Sequence, residues 1–127
     1  MFDKKILVVD DLEFLRNPLV RYLNRRGFKN IITAANASEA LQKIENEKPD
    51  FILLDVQLED TIDGVEILRR TKASLSPNSI VVMLTARKDT HENNCRELGA
   101  YETWSKPLDP DEMIENIKKI LSTSQKN

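Results

Sequence analysis

Phe51-Ile52-Leu53-Leu54-Asp55 is the stretch on which the fold turns. Four apolar residues in a row, closed by a carboxylate, read as a buried parallel strand that delivers one acid to the rim of a sheet. In open α/β sheets ligands bind beyond the carboxyl ends of the strands. An aspartate there is therefore a reactive group or a metal ligand. The bland alternative is a helix N-cap, a common place for Asp. The following Val56-Gln57-Leu58-Glu59-Asp60-Thr61 has no helical period, so the cap reading ranks below the functional one.

On the N-terminal side, Lys4 to Val9 carries Ile6-Leu7-Val8-Val9, a buried strand that ends in Asp10-Asp11. Leu12, Leu15, Leu19, Tyr22 and Leu23 recur at helical spacing, and Gly27 closes that helix as its C′ residue. Pro18 leaves two readings open. Either the helix begins near Leu12 and is kinked there, or Asn17 caps a helix starting at Pro18; the first is favoured. Asn30 to Ala34 is a short second strand. Asn36 and Glu39 have capping-box spacing ahead of a helix with Ala40, Leu41 and Ile44, which Pro49 stops near Glu47.

On the C-terminal side, Gly64 to Ser74 reads as a helix with Val65, Ile67 and Leu68 turned inward, and Pro77-Asn78 as a turn. Ile80 to Leu84 is a fourth buried strand ending in Thr85. Asp89 to Leu98 is a polar helix ended by Gly99. Glu102 to Ser105 is a short fifth strand ending at Lys106-Pro107. Asp109 caps a last helix with Pro110 at its first position; Met113, Ile114, Ile117, Ile120 and Leu121 face inward. Strands and helices alternate five times, which gives a parallel sheet with helices on both faces.

The 127 residues fit one domain, with a core from about 4 to 121 and a frayed polar tail at 122–127. Composition is ordinary for a globular chain, at 40% hydrophobic and 31% charged, and a net charge of −2 argues for neither nucleic-acid nor membrane affinity. A single cysteine, Cys95, cannot form an internal disulfide. With neither a signal peptide nor a membrane-length apolar run, a reducing, cytoplasmic location is expected.

In a parallel sheet the polar strand ends Asp10-Asp11, Asp55, Thr85 and Lys106 share one edge. Three ionised carboxylates there repel one another, and a divalent cation relieves this. Hard oxygen ligands with few supporting residues suit Mg²⁺, which shares its shell with phosphate oxygens. A lysine and a hydroxyl beside it can polarise a phosphoryl group, and nothing present looks like a general base. The set suits an aspartate nucleophile attacking an already activated phosphoryl donor.

These residues carry a resemblance. Ile6-Leu7-Val8-Val9-Asp10-Asp11, Ile52-Leu53-Leu54-Asp55, Asp63-Gly64, Val82-Met83-Leu84-Thr85-Ala86 and Lys106-Pro107, in this order and spacing over almost the whole length, resemble the receiver domain of two-component response regulators. The resemblance implies a flavodoxin-like doubly wound five-stranded parallel sheet of order 2-1-3-4-5 with five helices. It implies that Asp55 takes a phosphoryl group from a histidine of a sensor kinase or histidine phosphotransfer protein. Asp11 would ligate Mg²⁺ directly and Asp10 through water, with the Gln57 backbone carbonyl completing the site. Thr85 and Lys106 would hold the phosphoryl oxygens, and the Lys106-Pro107 bond would be cis. Output would pass through contact with a downstream protein, with no direct nucleic-acid or membrane contact, and the domain would be no enzyme beyond catalysing its own phosphorylation and dephosphorylation.

The chain departs from the family pattern in three places. Thr103 stands three residues before the lysine, where the family usually has tyrosine or phenylalanine. Tyr101 and Trp104 flank it, and strand alternation puts Trp104 on the opposite face. Coupling is therefore expected through Thr85 and the loop after it. Glu59 replaces the family's usual proline, and the loop to Asp63-Gly64 is one residue longer than usual. Trp104 is expected in the core, His91 on the surface, and Cys95 toward solvent or a helix seam. Arg25-Arg26 reads as a helix end, and Arg87-Lys88 either as a solvated loop or as a pair that tunes access to the site.

Two other functions compete. A Mg²⁺-dependent phosphatase with an aspartate nucleophile commonly places a second aspartate two residues on, where this chain has Gln57. A phosphorylation-independent binding module on the same fold is opposed by the intact acids, threonine and lysine.

Overall fold

Ile6, Leu7, Val8 and Val9 form β1 (Ile6–Val9), buried throughout, in a computed structural model that describes residues 1–124. The remaining elements follow as α1 (Glu13–Arg25), β2 (Ile31–Ala34), α2 (Ala37–Glu47), β3 (Phe51–Asp55), α3 (Gly64–Thr71), β4 (Ile80–Thr85), α4 (Lys88–Glu97), β5 (Glu102–Ser105) and α5 (Pro110–Ser124). All neighbouring strands pair in parallel in the order β2-β1-β3-β4-β5, as expected.

Strand alternation sorts the core into two layers. Leu7, Val9, Ile52, Leu54, Val81 and Met83 pack beneath α2, α3 and α4, against Ile44, Ile67, Leu68 and Cys95. Ile6, Val8, Phe51, Leu53, Val82 and Trp104 pack beneath α1 and α5, against Leu23, Phe28, Ile114 and Ile117. The direction of strand order reverses between β1 and β3, so their carboxyl ends flank a crevice where a site can form.

Pro18 lies inside α1, as the favoured reading had it. A proline in a helix interior costs about 3 kcal/mol. Tertiary packing offsets this: Leu23 is fully buried, and Leu19, Val20 and Tyr22 pack on the same cluster, each buried aliphatic side chain contributing about 1.5–3 kcal/mol. Gly27 (φ +105°) and Gly99 (φ +103°) end α1 and α4 in the left-handed region that favours glycine.

Several boundaries differ from the sequence reading. β1 and β2 begin at Ile6 and Ile31, inside the expected Lys4–Val9 and Asn30–Ala34. The third helix stops at Thr71 instead of Ser74; the Thr71 hydroxyl donates to the Ile67 carbonyl (2.8 Å), and the Ser74 N–H closes a turn on the Thr71 carbonyl (2.9 Å). The Asn36 cap accepts from the Glu39 N–H (2.9 Å), but the Glu39 carboxylate reaches the Ala35 N–H (3.2 Å) instead of the cap residue's own. α5 extends to Ser124, into the stretch expected to fray, and residues 125–127 lie outside the described residues. Among the described residues no helix is long and apolar enough to cross a membrane.

Candidate functional site

Asp10 follows β1, Asp55 ends β3, Thr85 ends β4 and Lys106 follows β5, so the parallel sheet alone brings them to one edge. Asp10, Asp55 and Thr85 are buried there. Carboxylate oxygens of Asp10, Asp11 and Asp55 lie within 4.8 Å of one another.

Each acid is held from the backbone. Asp10 Oδ1 accepts from the Leu12 N–H (3.0 Å), Asp11 Oδ2 from the Glu59 N–H (2.9 Å), and Asp55 Oδ1 from the Gln57 N–H (3.1 Å). Lys106 Nζ donates to Asp55 Oδ2 at 2.9 Å and lies 3.7 Å from Asp10 Oδ2. Asp11 Oδ1 is buried with no partner, the one such side-chain atom among the described residues. A buried, unsatisfied carboxylate oxygen beside two other acids is the donor set a hard divalent cation requires. Asp10, Asp11 and Asp55 therefore fit a metal. Gln57, the fourth expected contributor, is side-chain exposed and meets the site through its backbone.

The Thr85 oxygen accepts from the Arg87 N–H (2.9 Å), which leaves its hydroxyl proton directed elsewhere. The Lys106-Pro107 bond is cis, as expected. Arg87 is exposed just ahead of α4, and Lys88, instead of lying in a loop, opens that helix with its ammonium 3.5 Å from Glu92. His91 is half-buried on α4. Cys95 lies in the seam under α4, touching Thr103; burial pushes its thiol up. Trp104 packs on the α1/α5 side, its indole N–H donating to Glu102 Oε1 (2.7 Å), and Thr103 is buried on the α4 side, as alternation required. Arg26 does more than end a helix: it lies over the Tyr22 ring and pairs with Asp111 of α5.

Arg16 and Asp60 escaped the sequence reading, and so did the close contact that Gly64 makes. Arg16 Nη1 donates to the Asp10 carbonyl at 2.7 Å. Asp60 reaches across from the long loop to accept the Ala37 N–H (2.8 Å) at the start of α2, and that contact foremost holds its carboxyl below the usual range. Gly64 lies against the Asp55 backbone so closely that a Cβ would sit 2.1 Å from the Asp55 carbonyl oxygen. An apolar groove of about 530 Å³ between α1 and α5, lined by Leu15, Leu19, Pro107 and Met113, opens onto Asp10 and Lys106.

Burial pushes the Asp55 carboxyl above the usual aspartate value; the Lys106 hydrogen bond and charge oppose the shift without cancelling it. The folded protein thus binds that proton more tightly than the unfolded chain. Stability falls as pH rises from the ordinary aspartate value of about 4 through the raised one. Asp55→Asn removes the buried charge, and Lys106 retains Asp10. We expect the variant to melt a few degrees above wild type at pH 7 and level with it below about pH 4 in thermal scans without metal. An Asn variant less stable than wild type at pH 7 would contradict this.

A family model described as the response regulator receiver domain matches residues 6–118. The chain is 40% identical over 126 residues to the alkaline phosphatase synthesis transcriptional regulatory protein PhoP of Bacillus subtilis (strain 168), covering 97% of this chain and 50% of that protein. It is 37% identical over 122 residues to sporulation initiation phosphotransferase F of the same organism, covering 95% and 96%. It thus spans half of the first relative and nearly all of the second. Among solved structures, the response regulator receiver domain protein (CheY-like) from Methanospirillum hungatei JF-1 superposes with a TM-score of 0.87 at 30% identity, covering 98% of each chain.

Proposed function

Because the chain belongs to the response regulator receiver domain family, a family of phosphoacceptor signalling domains in two-component systems, we propose that Asp55 is its phosphoacceptor and that a histidine of a sensor kinase or phosphotransfer protein is the donor. The observation that carries this reading is the pairing of Lys106 with Asp55 beside an Asp11 oxygen that has no partner.

In the transfer an Asp55 carboxylate oxygen forms the new O–P bond. The P–N bond to the donor imidazole breaks, and the imidazole keeps the bonding pair and takes a proton from water. Lys106, already on Asp55 Oδ2, follows the negative charge onto a phosphoryl oxygen. Thr85 accepts from Arg87 and is free to donate its hydroxyl proton to a second phosphoryl oxygen. Asp10, Asp11, Asp55 and the Gln57 backbone carbonyl would hold Mg²⁺, which when bound offsets the charge of the phosphoryl oxygens. The apolar groove beside Lys106, with exposed Leu12 just before α1 and exposed Phe14 and Leu15 on it, supports docking of a protein donor. A cytoplasmic setting and output through a downstream protein follow from the same reading, with no reaction on any other substrate.

Intact mass after incubation with acetyl phosphate tests this. Wild type gains one phosphoryl group, labile as an acyl phosphate, only with Mg²⁺, and Asp55→Asn gains none. No gain in a wild-type protein that binds Mg²⁺ would overturn the phosphoacceptor reading and favour a phosphorylation-independent binding module.

A further inference from the structure

We propose that Arg16 is a positioning residue for the acid pair Asp10-Asp11, holding the turn that carries it through the Asp10 backbone carbonyl. Arg16 sits one turn into α1 and turns back, so that its Nη1 meets that carbonyl at 2.7 Å. The carbonyl lies beyond the last residue of β1, where the strand ladder has ended. Three hydrogen bonds now fix this corner. The Asp10 N–H donates to the Ala34 carbonyl (3.2 Å), the Leu12 N–H to Asp10 Oδ1 (3.0 Å), and Arg16 to the Asp10 carbonyl. The first two pin Asp10 to the sheet and shape the turn. The third ties the turn to the body of α1 and thereby sets where Asp11, with its unpartnered Oδ1, projects.

Two opposed effects attend Arg16. Its charge repels a cation at the acids, so its loss by itself would tighten cation binding. Its hydrogen bond keeps the ligands in place, and partners of this outer kind are each worth about 10–100-fold in metal affinity. The guanidinium is half-exposed and grips a neutral carbonyl, so water screens its charge while the positioning effect stays undiminished. The positioning effect therefore wins. Lys106 differs: it touches the carboxylate oxygens themselves.

The test is Mn²⁺ binding by electron paramagnetic resonance on the whole chain, for wild type, Arg16→Ala, Arg16→Met and Arg16→Lys. Methionine keeps an apolar stem against the helix without the donor, so it serves if alanine loosens the fold. Affinity should fall about tenfold in Arg16→Ala and Arg16→Met and return to within threefold of wild type in Arg16→Lys, with metal-free melting temperatures close together throughout. Arg16→Met binding Mn²⁺ as tightly as wild type, or tighter, overturns the proposal, as does a lysine variant no better than the methionine one. The proposal rests on Asp10, Asp11 and Asp55 as the cation site. A wild type that binds no Mn²⁺ overturns both readings, whereas normal binding by wild type and Arg16→Met alike overturns only the role of Arg16.

Discussion

Lys106→Met should slow phosphoryl acceptance from acetyl phosphate by about a hundredfold, the order expected when one preorganised donor to developing charge is lost. Among the described residues Lys106 is the cation paired with the carboxylates of these acids, at 2.9 Å from Asp55 and 3.7 Å from Asp10. Its removal acts twice. The phosphoryl oxygens lose their ammonium, and Asp55 loses the interactions that oppose its burial, so its carboxyl moves further up. A metal bound by the three acids would then be their main counterweight, so Mn²⁺ affinity should hold or increase while the rate falls. Mass gain against time, with the metal saturating, separates the two effects. A rate within threefold of wild type would show that position and metal suffice without the lysine.

Gly64→Ala should destabilise the fold by about 3 kcal/mol, lowering the melting temperature by roughly 10 °C. The reason is contact. The new Cβ would lie 2.1 Å from the Asp55 carbonyl oxygen, 2.8 Å from its carbonyl carbon and 2.9 Å from Val56 Cα. All three are backbone atoms, so no side chain can swing aside. The strand end that presents Asp55 must shift instead, and phosphoryl acceptance should drop with stability. Gly99→Ala is the contrasting control: nothing lies within 4 Å, and only its φ of +103° resists the side chain, so stability suffers less and Asp55 keeps its rate. Equal melting temperatures for Gly64→Ala and wild type would contradict the close approach.

Much of this molecule is legible in its sequence because the governing signals are local. β3 stops at Asp55 and β5 spans Glu102–Ser105, where apolar runs and flanking breakers put them. Asp109 caps α5 through the Asp111 N–H (3.0 Å), as Asp-Pro spacing implies. The rim residues needed no side-chain geometry, since parallel strands gather their carboxyl ends on one edge. What stayed hidden depends on where aperiodic chain comes to rest. Glu59 stood out as a replaced proline, yet nothing in its neighbours indicated that its N–H would hold Asp11. Asp60 accepts the Ala37 N–H at the start of a helix 23 residues earlier in the chain, a contact that no local pattern announces. Arg16 drew no reading at all, since its value lies in a carbonyl that a sequence does not display. The end of α3 at Thr71 was missed because the chain goes straight into a turn in which the Ser74 and Leu75 N–H groups both donate to the Thr71 carbonyl, with no glycine or proline to mark the stop.

The order in which the rim is built has a consequence for the chain as it is made. Asp10, Asp11 and Asp55 leave the ribosome early, and β3 gains both neighbours once β4 follows. Lys106 comes after β5, which pairs with β4 alone, and α5, which packs on one core layer, comes later still. A nascent chain thus carries its acids with no ammonium against them until the final strand and helix have emerged. An interrupted chain would hold Asp55 without the ammonium that pairs with it in the finished fold.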